Sequence, residues 1–261
     1  MTELVVLVVL GLVGGVLSGL LGLGGSIIMV PLLLFVPQAL GIGVYDMKVV
    51  AAMSTVQVFF SALSGVFVHR RQGNVSRSVV LVMGVSAAVS GFIGAYASKF
   101  LSAQVLLLVF AGISTIAIFL MFIPAKRDEW LGSPDEVPFR RPVAIAVSIA
   151  IGILGGAIGA PGAFIFVPLM IYVLKIPTRI TLGSTLAIVL LTSLAGVLGK
   201  FATGQVPWGL SLALVLGSIP GAQLGARFST SPDPQPALRH HRLNYWCHGE
   251  TMDVRSSHRL I

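Results

Sequence analysis

Hydrophobic residues fill nine long runs of the chain, and polar or charged residues are concentrated in the stretches between them and after residue 227. A helix needs about 17 to 25 apolar residues to cross a bilayer, and most of the runs have that length. We therefore predict an all-α polytopic membrane protein with about 7–9 membrane segments. The segments cover residues 4–22, 26–40, 49–68, 78–98, 103–123, 141–159, 163–174, 181–199 and 207–227.

The composition agrees with a chain that is surrounded by lipid. Of its 261 residues, 56% are hydrophobic and 10% are charged, whereas a soluble domain has about 25% charged residues. The net charge of +8 does not indicate nucleic-acid binding, because the lysines and arginines lie between the apolar runs and in the tail rather than on one amphipathic face. We expect the lipid bilayer, and no nucleic acid, as a partner.

The two halves of the chain repeat each other. The stretch GVLSGLLGLGGSIIMVPL (15–32) aligns without a gap with GILGGAIGAPGAFIFVPL (152–169), and farther on RQGNV stands opposite ATGQV. Five segments separate each segment from its copy. Because that number is odd, the halves are predicted to insert with opposite topology, and inverted repeats are typical of secondary transporters.

The repeat and the charges predict the domain organisation. We expect a first transmembrane repeat at 1–123, a cytoplasmic linker at 124–142, a second transmembrane repeat at 143–227 and an irregular polar tail at 228–261. Basic loops face the cytoplasm, which leaves only Lys48, Lys99 and Lys200 on the outer side.

Two segments are interrupted at equivalent points of the repeat. Segments 26–40 and 163–174 would span about 22 Å and about 18 Å as helices, too little for a hydrocarbon core of about 30 Å. Each follows a glycine-rich break, GLGGS or GAPGA. Short, interrupted segments in matching positions point to a binding site at the membrane midplane, and a helix N-terminus with free N–H groups favours an anion. The predicted substrate-binding residues at the breaks are Gly24, Gly25, Ser26, Pro161, Gly162 and Ala163.

Five further polar residues at membrane depth are candidates for the same site. Ser54 and Thr55 stand opposite Ser184 and Thr185 in the repeat, whereas Gln57 faces an alanine. The hydroxyl groups either face the ligand or bond back to their own helix. The Gln57 amide needs partners if it is buried, so it either joins helices or donates to the anion.

Other glycines are predicted to serve packing alone, since small residues let membrane helices approach closely. These glycines are Gly15 and Gly19, Gly152 and Gly156, and Gly217, Gly221 and Gly225.

The glycine motif GLVGGVLSGLLGLGGSIIMVPLLL, its echo GILGGAIGAPGAFIFVPLM and the Ser-Thr pairs resemble the TauE/SafE family over about residues 4–228. The resemblance implies a permease of the bacterial inner membrane that carries sulfite or organosulfonates. This sequence differs from the family pattern in two places. The second break reads APGA where a glycine triplet is commoner, and a polar tail stands where family members end with another hydrophobic helix.

We expect a secondary transporter of small sulfur-containing anions, without a cofactor or a metal. The alternatives are a channel or carrier for another small solute and an intramembrane enzyme, for which His69 is the only histidine near the membrane. No Asp or Glu lies inside an apolar segment away from its ends, which argues against a carboxylate proton relay. Two helix N-termini supply about +1 in total. A sulfite-like substrate should therefore cross singly protonated or together with a cation, and the coupling ion would be a proton or sodium.

The abrupt change of character after Arg227 predicts a change of reading frame near that point, with a poorly folded or inactive product as its consequence. Resequencing of the source DNA tests this hypothesis. An unbroken frame that encodes the same tail would contradict it.

Overall fold

The computed structural model describes residues 2–21, 26–69, 75–121, 133–160 and 163–229, and all of them belong to a compact unit that ends at Ser229. Nine helices of ten or more residues account for most of the described residues. They are α1 (Thr2–Leu21), α2 (Ser26–Ala39), α3 (Met47–His69), α4 (Arg77–Phe100), α5 (Ala103–Met121), α6 (Arg141–Ile158), α7 (Ala163–Tyr172), α8 (Thr178–Ala202) and α9 (Trp208–Ser229).

Each of the nine predicted segments corresponds to one of these helices, so the all-α polytopic class is confirmed. Seven helices are long and apolar enough to cross a membrane, namely all except α2 and α7. The helix α2 has 14 residues and α7 has 10. The two segments that the sequence marks as too short are therefore short in the structure as well.

Helix α3 lies at the centre of the described unit and α5 at its periphery. In α3, 67% of the apolar stretch Met47–Ser64 is buried. In α5, the buried share of the stretch Ala103–Leu120 is 17%. The α5 side chains Leu108 and Phe119 are exposed by 72% and 71%. Exposed apolar surface of this extent is expected where lipid rather than water is the solvent.

Glycines bring α1 and α9 into backbone contact. A Cβ on Gly15 would collide with the Ser218 backbone, and a Cβ on Gly221 would collide with the Leu12 carbonyl group. The same holds for the other glycines that were assigned to packing in these two helices, Gly19, Gly217 and Gly225. Helix pairs in membranes use small residues in this way, so the packing prediction is confirmed here.

A second close pair joins α4 and α6. A Cβ on Gly152 would collide with Ala87 and Ser90, and a Cβ on Gly156 would collide with Gly91. The packing prediction is therefore confirmed in this pair too. Further contacts join α3 to α8 and α9, and α4 to α8. The first helix of each half thus packs on the fourth helix of the other half.

One hydrogen bond ties the start of α1 to the segment between α2 and α3. The Tyr45 hydroxyl donates to Glu3 Oε1 at 2.5 Å. Burial and the adjacent Glu3 carboxylate raise the pKa of Tyr45 above its usual range. The start of α1 and the start of α3 therefore lie at the same end of the unit.

Replacement of Gly15 by alanine is expected to destabilise the protein, because the new Cβ would meet the Ser218 backbone, which cannot move aside as a flexible side chain would. Overpacking of this kind costs about 1 to 3 kcal/mol, and the loss is measured as a lower Tm in detergent. Gly112→Ala in α5 is the matched control, since a Cβ there would have no atom within 4 Å. Equal Tm values for the two variants would contradict the packing account.

Candidate functional site

The first break separates α1 from α2. Gly24 and Gly25 lie outside the described residues, whereas Ser26 begins α2. Ser26 is buried, with 1% of its surface exposed, and its Oγ has no hydrogen-bond partner among the described residues. A buried hydroxyl group without a partner is costly, and this one lies at a helix N-terminus, where anions are favoured.

Two more unpartnered polar atoms lie on one face of α3. Ser54 and Gln57 are fully buried, and Ser54 Oγ and Gln57 Oε1 have no partner in the described part of the chain. The other end of the amide is bound, since Gln57 Nε2 donates to Ser61 Oγ at 3.1 Å. Residues three apart lie side by side on a helix, so Ser54 and Gln57 form one polar patch.

Helices α1 and α2 meet α3 beside this patch. A Cβ on Gly14 of α1 would collide with Met29 Sδ and would lie 3.5 Å from Gln57 Nε2. Met29 follows Ser26 by one helical turn and is fully buried. The missing side chain at Gly14 therefore makes room for Met29 in the first turn of α2, and the Gln57 amide lies beside the same position.

The second break lies against α3 as well. Helix α6 ends at Ile158, and Gly159 adopts a left-handed conformation with φ of 73°. A Cβ on Gly159 would overlap the Ala51 backbone of α3. Pro161 and Gly162 lie outside the described residues, and Ala163 begins α7.

The two repeat-related serines differ in their partners. Ser184 Oγ accepts a hydrogen bond from the Ser76 backbone N–H at 3.0 Å. In the register that places RQGNV opposite ATGQV, the residue that corresponds to Ser76 is Pro207. Proline has no backbone N–H. Ser54 therefore lacks the kind of donor that Ser184 receives.

The two threonine hydroxyl groups bond to their own helices. Thr55 Oγ1 donates to the Ala51 carbonyl group at 2.7 Å, and Thr185 Oγ1 donates to the Thr181 carbonyl group at 2.6 Å. Because each hydroxyl group has one hydrogen, neither threonine donates to a ligand in this arrangement.

Half of the described buried side-chain atoms without a partner thus belong to first-half residues that the sequence predicts as substrate-binding. Three of the six such side-chain atoms among the described residues belong to Ser26, Ser54 and Gln57, and the others belong to Ser114, Ser148 and Ser211. In the second half the predicted positions are bonded or apolar, or they lie outside the described residues. The candidate site is therefore built mainly from α2 and α3.

Sequence reasoning did not select Lys200, which it placed among the outer cations. In the structure Lys200 is fully buried in α8, and its Nζ donates to Ser98 Oγ at 3.0 Å and to the Ala157 carbonyl group at 3.3 Å. The sequence contains one signal that could have drawn attention to Lys200. When RQGNV is aligned with ATGQV, Lys200 stands opposite His69, the only histidine near the membrane.

A small crevice between α5, α6 and α7 does not suit an anion. It is lined by apolar side chains, including Ile113, Ile151 and Phe164. Among the described residues, no group of three or more His, Cys, Asp or Glu side chains could hold a metal ion.

Comparison with known proteins gives a family match. Residues 7–239 match the sequence profile of the family described as sulfite exporter TauE/SafE. The chain is 30% identical to the probable membrane transporter protein YunE of Bacillus subtilis (strain 168), over 85% of this chain and 87% of that protein. It is 29% identical to a probable membrane transporter protein of Xylella fastidiosa (strain 9a5c), over 84% of this chain and 82% of that protein.

A third relative is less similar in sequence. The probable membrane transporter protein MJ0441 of Methanocaldococcus jannaschii is 23% identical, over 88% of this chain and 87% of that protein. No solved structure matches the chain.

Because Ser54 and Ser184 differ in their partners, the same substitution to alanine is expected to affect the stability of the protein differently at the two positions. Ser184→Ala should lower the free energy of unfolding by about 1 to 3 kcal/mol, because the buried Ser76 N–H loses its acceptor. Ser54→Ala should leave stability unchanged or raise it, because an unpartnered hydroxyl group is removed. The measurement is the Tm of both variants in the same detergent. An equal loss of Tm in both would contradict a ligand-facing Ser54.

Proposed function

Because the chain belongs to the sulfite exporter TauE/SafE family of membrane transporters, we propose that it is a secondary transporter of small sulfur-containing anions such as sulfite or organosulfonates. The anion binds near the membrane midplane, at the N-termini of α2 and α7. The proposed location is the bacterial inner membrane.

The observation that carries this proposal is the set of buried polar atoms without partners at Ser26, Ser54 and Gln57. Buried polar groups are normally bonded, and an exception needs an explanation such as a missing ligand. These three side chains belong to the first turn of α2 and to the adjoining face of α3. A small oxyanion has several acceptor oxygens, so it can accept bonds from both hydroxyl groups and from helix N–H groups at once.

The Gln57 amide can serve an anion after a half-turn about its last side-chain bond. As the amide stands, Nε2 donates to Ser61 Oγ, and Oε1 has no partner among the described residues. In the rotated amide, the Ser61 hydroxyl group donates to Oε1 and the two N–H groups take the unpartnered position. A glutamine can make this exchange because its amide has an acceptor at one end and a donor at the other.

The pairing of helices fits two repeats that are related by a two-fold axis, and the odd offset between the copies predicts that this axis lies in the membrane plane. If the halves are related by a two-fold axis in the membrane plane, α1 and α6 are equivalent, and so are α4 and α9. The two-fold rotation then maps the close pair α1–α9 onto the close pair α4–α6. The contact between α3 and α8 lies on the axis, so the polar residues of both helices face the region where transporters of this architecture bind their substrates.

The proposed site has a limited charge. The N-termini of α2 and α7 contribute about half a positive charge each, which suits a monoanion. We therefore propose that sulfite crosses singly protonated or together with a cation held by backbone carbonyl groups, with a proton or sodium as the coupling ion.

Uptake of radiolabelled sulfite into proteoliposomes tests the function. We expect saturable uptake, with chloride and sulfate tested as competitors. Gln57→Leu should reduce uptake at least tenfold, because a hydrogen bond to a charged group is worth about 1.5 to 3 kcal/mol. Gly112→Ala is the matched control and should transport like the parent chain.

The same assay should be run on the chain as given and on a version in which a hydrophobic helix replaces the tail. Uptake in both supports the proposal, and uptake in the second alone locates the defect in the tail. If neither version takes up sulfite or an organosulfonate such as taurine, the proposal is wrong. Channel-like flux of an uncharged or cationic solute would then favour the alternative of a different small solute.

A further inference from the structure

Lys200 is a buried basic residue whose hydrogen-bond partners are neutral. Among the side chains that the structure describes, it is the only buried one with a formal charge, and none of its surface is exposed. An ammonium group removed from water costs several kcal/mol unless it is compensated. An ionisable residue inside the membrane is therefore expected to have a function and a partner.

The partners of Lys200 in the structure are neutral. Its Nζ donates to the Ser98 hydroxyl oxygen and to the Ala157 carbonyl oxygen, so one of its three hydrogens remains available. Its charged neighbour is Lys48, which is also a cation. The acidic residues that the structure describes do not pair with Lys200. The described residues therefore provide only neutral hydrogen-bond partners for Lys200.

The ammonium group lies at the second break. Ala157 belongs to the last turn of α6, which ends one residue later. Gly159 then turns out of the helix, and α7 begins at Ala163. A helix C-terminus carries about half a negative charge, so it compensates Lys200 only in part. In transporters with broken helices, such carbonyl ends hold the coupling sodium or proton, while the N-terminus of the next half-helix faces the anion.

We propose that the Lys200 ammonium group is a built-in cation of the transport site, which occupies the carbonyl end of α6 in place of a sodium ion and balances the charge of the bound anion. This inference rests on the proposed function and adds to it. The two helix N-termini supply about +1 and the C-terminus of α6 about −0.5, so Lys200 raises the total to about +1.5. Lys200 then takes the place of the cation that accompanies sulfite, and transport needs no sodium.

A purely structural role for Lys200 would have different consequences. A lysine that only caps the C-terminus of α6 stabilises the helix end, and its loss would lower Tm. Such a lysine would not decide which ions transport requires. The dependence of uptake on sodium therefore distinguishes the two roles.

The experiment measures uptake of radiolabelled sulfite into proteoliposomes, with external sodium either present or replaced by N-methylglucamine. The variant Lys200→Met has a similar length and no charge. Lys99→Gln is the matched control, because Lys99 is an exposed cation next to Ser98 at the same end of the protein. Folding of each variant is checked by gel filtration and Tm.

We expect the parent chain and Lys99→Gln to take up sulfite equally well with and without sodium. Lys200→Met should lose at least tenfold in sodium-free buffer, and sodium should restore part of that loss by filling the vacated carbonyl end. If Lys200→Met does not fold, Lys200→Gln replaces it. If neither folds, sodium-dependent uptake by the parent chain would still overturn the inference.

Three results would overturn the inference while leaving the proposed function intact. They are sodium-dependent uptake by the parent chain, full sodium-free uptake by Lys200→Met, and a folded Lys200→Met that sodium does not rescue. If the parent chain takes up neither sulfite nor taurine, the proposed function fails, and this inference fails with it.

Discussion

The structure depends on one constraint, which is that a polar group in the hydrocarbon core of a membrane finds no water to bond. Continuous helices satisfy the constraint for their own backbones. Two short helices, α2 and α7, begin inside the unit after an interruption, so groups near Ser26 and Gly159 need other partners. Ser54 and Gln57 of α3, and Lys200 of α8, lie where such partners are needed. The substrate anion is the proposed partner of Ser26, Ser54 and Gln57.

The two halves share an architecture and differ in chemistry. Helix α6 packs on α4 as α1 packs on α9, yet the polar side chains have diverged. Ser184 Oγ accepts a hydrogen bond from the Ser76 N–H. Pro207, which corresponds to Ser76 in the repeat, has no N–H that could donate to Ser54. The first half therefore provides unpartnered hydrogen-bonding groups, and the second half provides the buried amino group of Lys200. An anion between them would be bound by different means on its two sides.

Much of the fold was predictable because lipid imposes a minimum length on apolar helices, and the nine apolar runs became nine helices. Packing at Gly15 and Gly221 was predictable from the spacing of small residues. The partners of Ser54 and Ser184 were not, because they depend on which loop residue caps a neighbouring helix. Lys200 was missed because it follows the predicted segment 181–199 by one residue. In sequence it resembles a loop cation, and only the packing of α4 and α6 around it makes it a buried one.

The central claim is that an anion binds at the N-termini of α2 and α7, against α3, and completes the bonds of Ser26, Ser54 and Gln57. The most direct test is an experimental structure determined with selenite, whose selenium atom is located by anomalous scattering. The account predicts one strong peak beside these side chains, at a position from which the selenite oxygens accept their hydrogen bonds, and its loss in a Ser54→Ala, Gln57→Leu double variant that still folds. A saturating concentration of selenite that gives no peak there, or a peak only elsewhere on the protein, would contradict it.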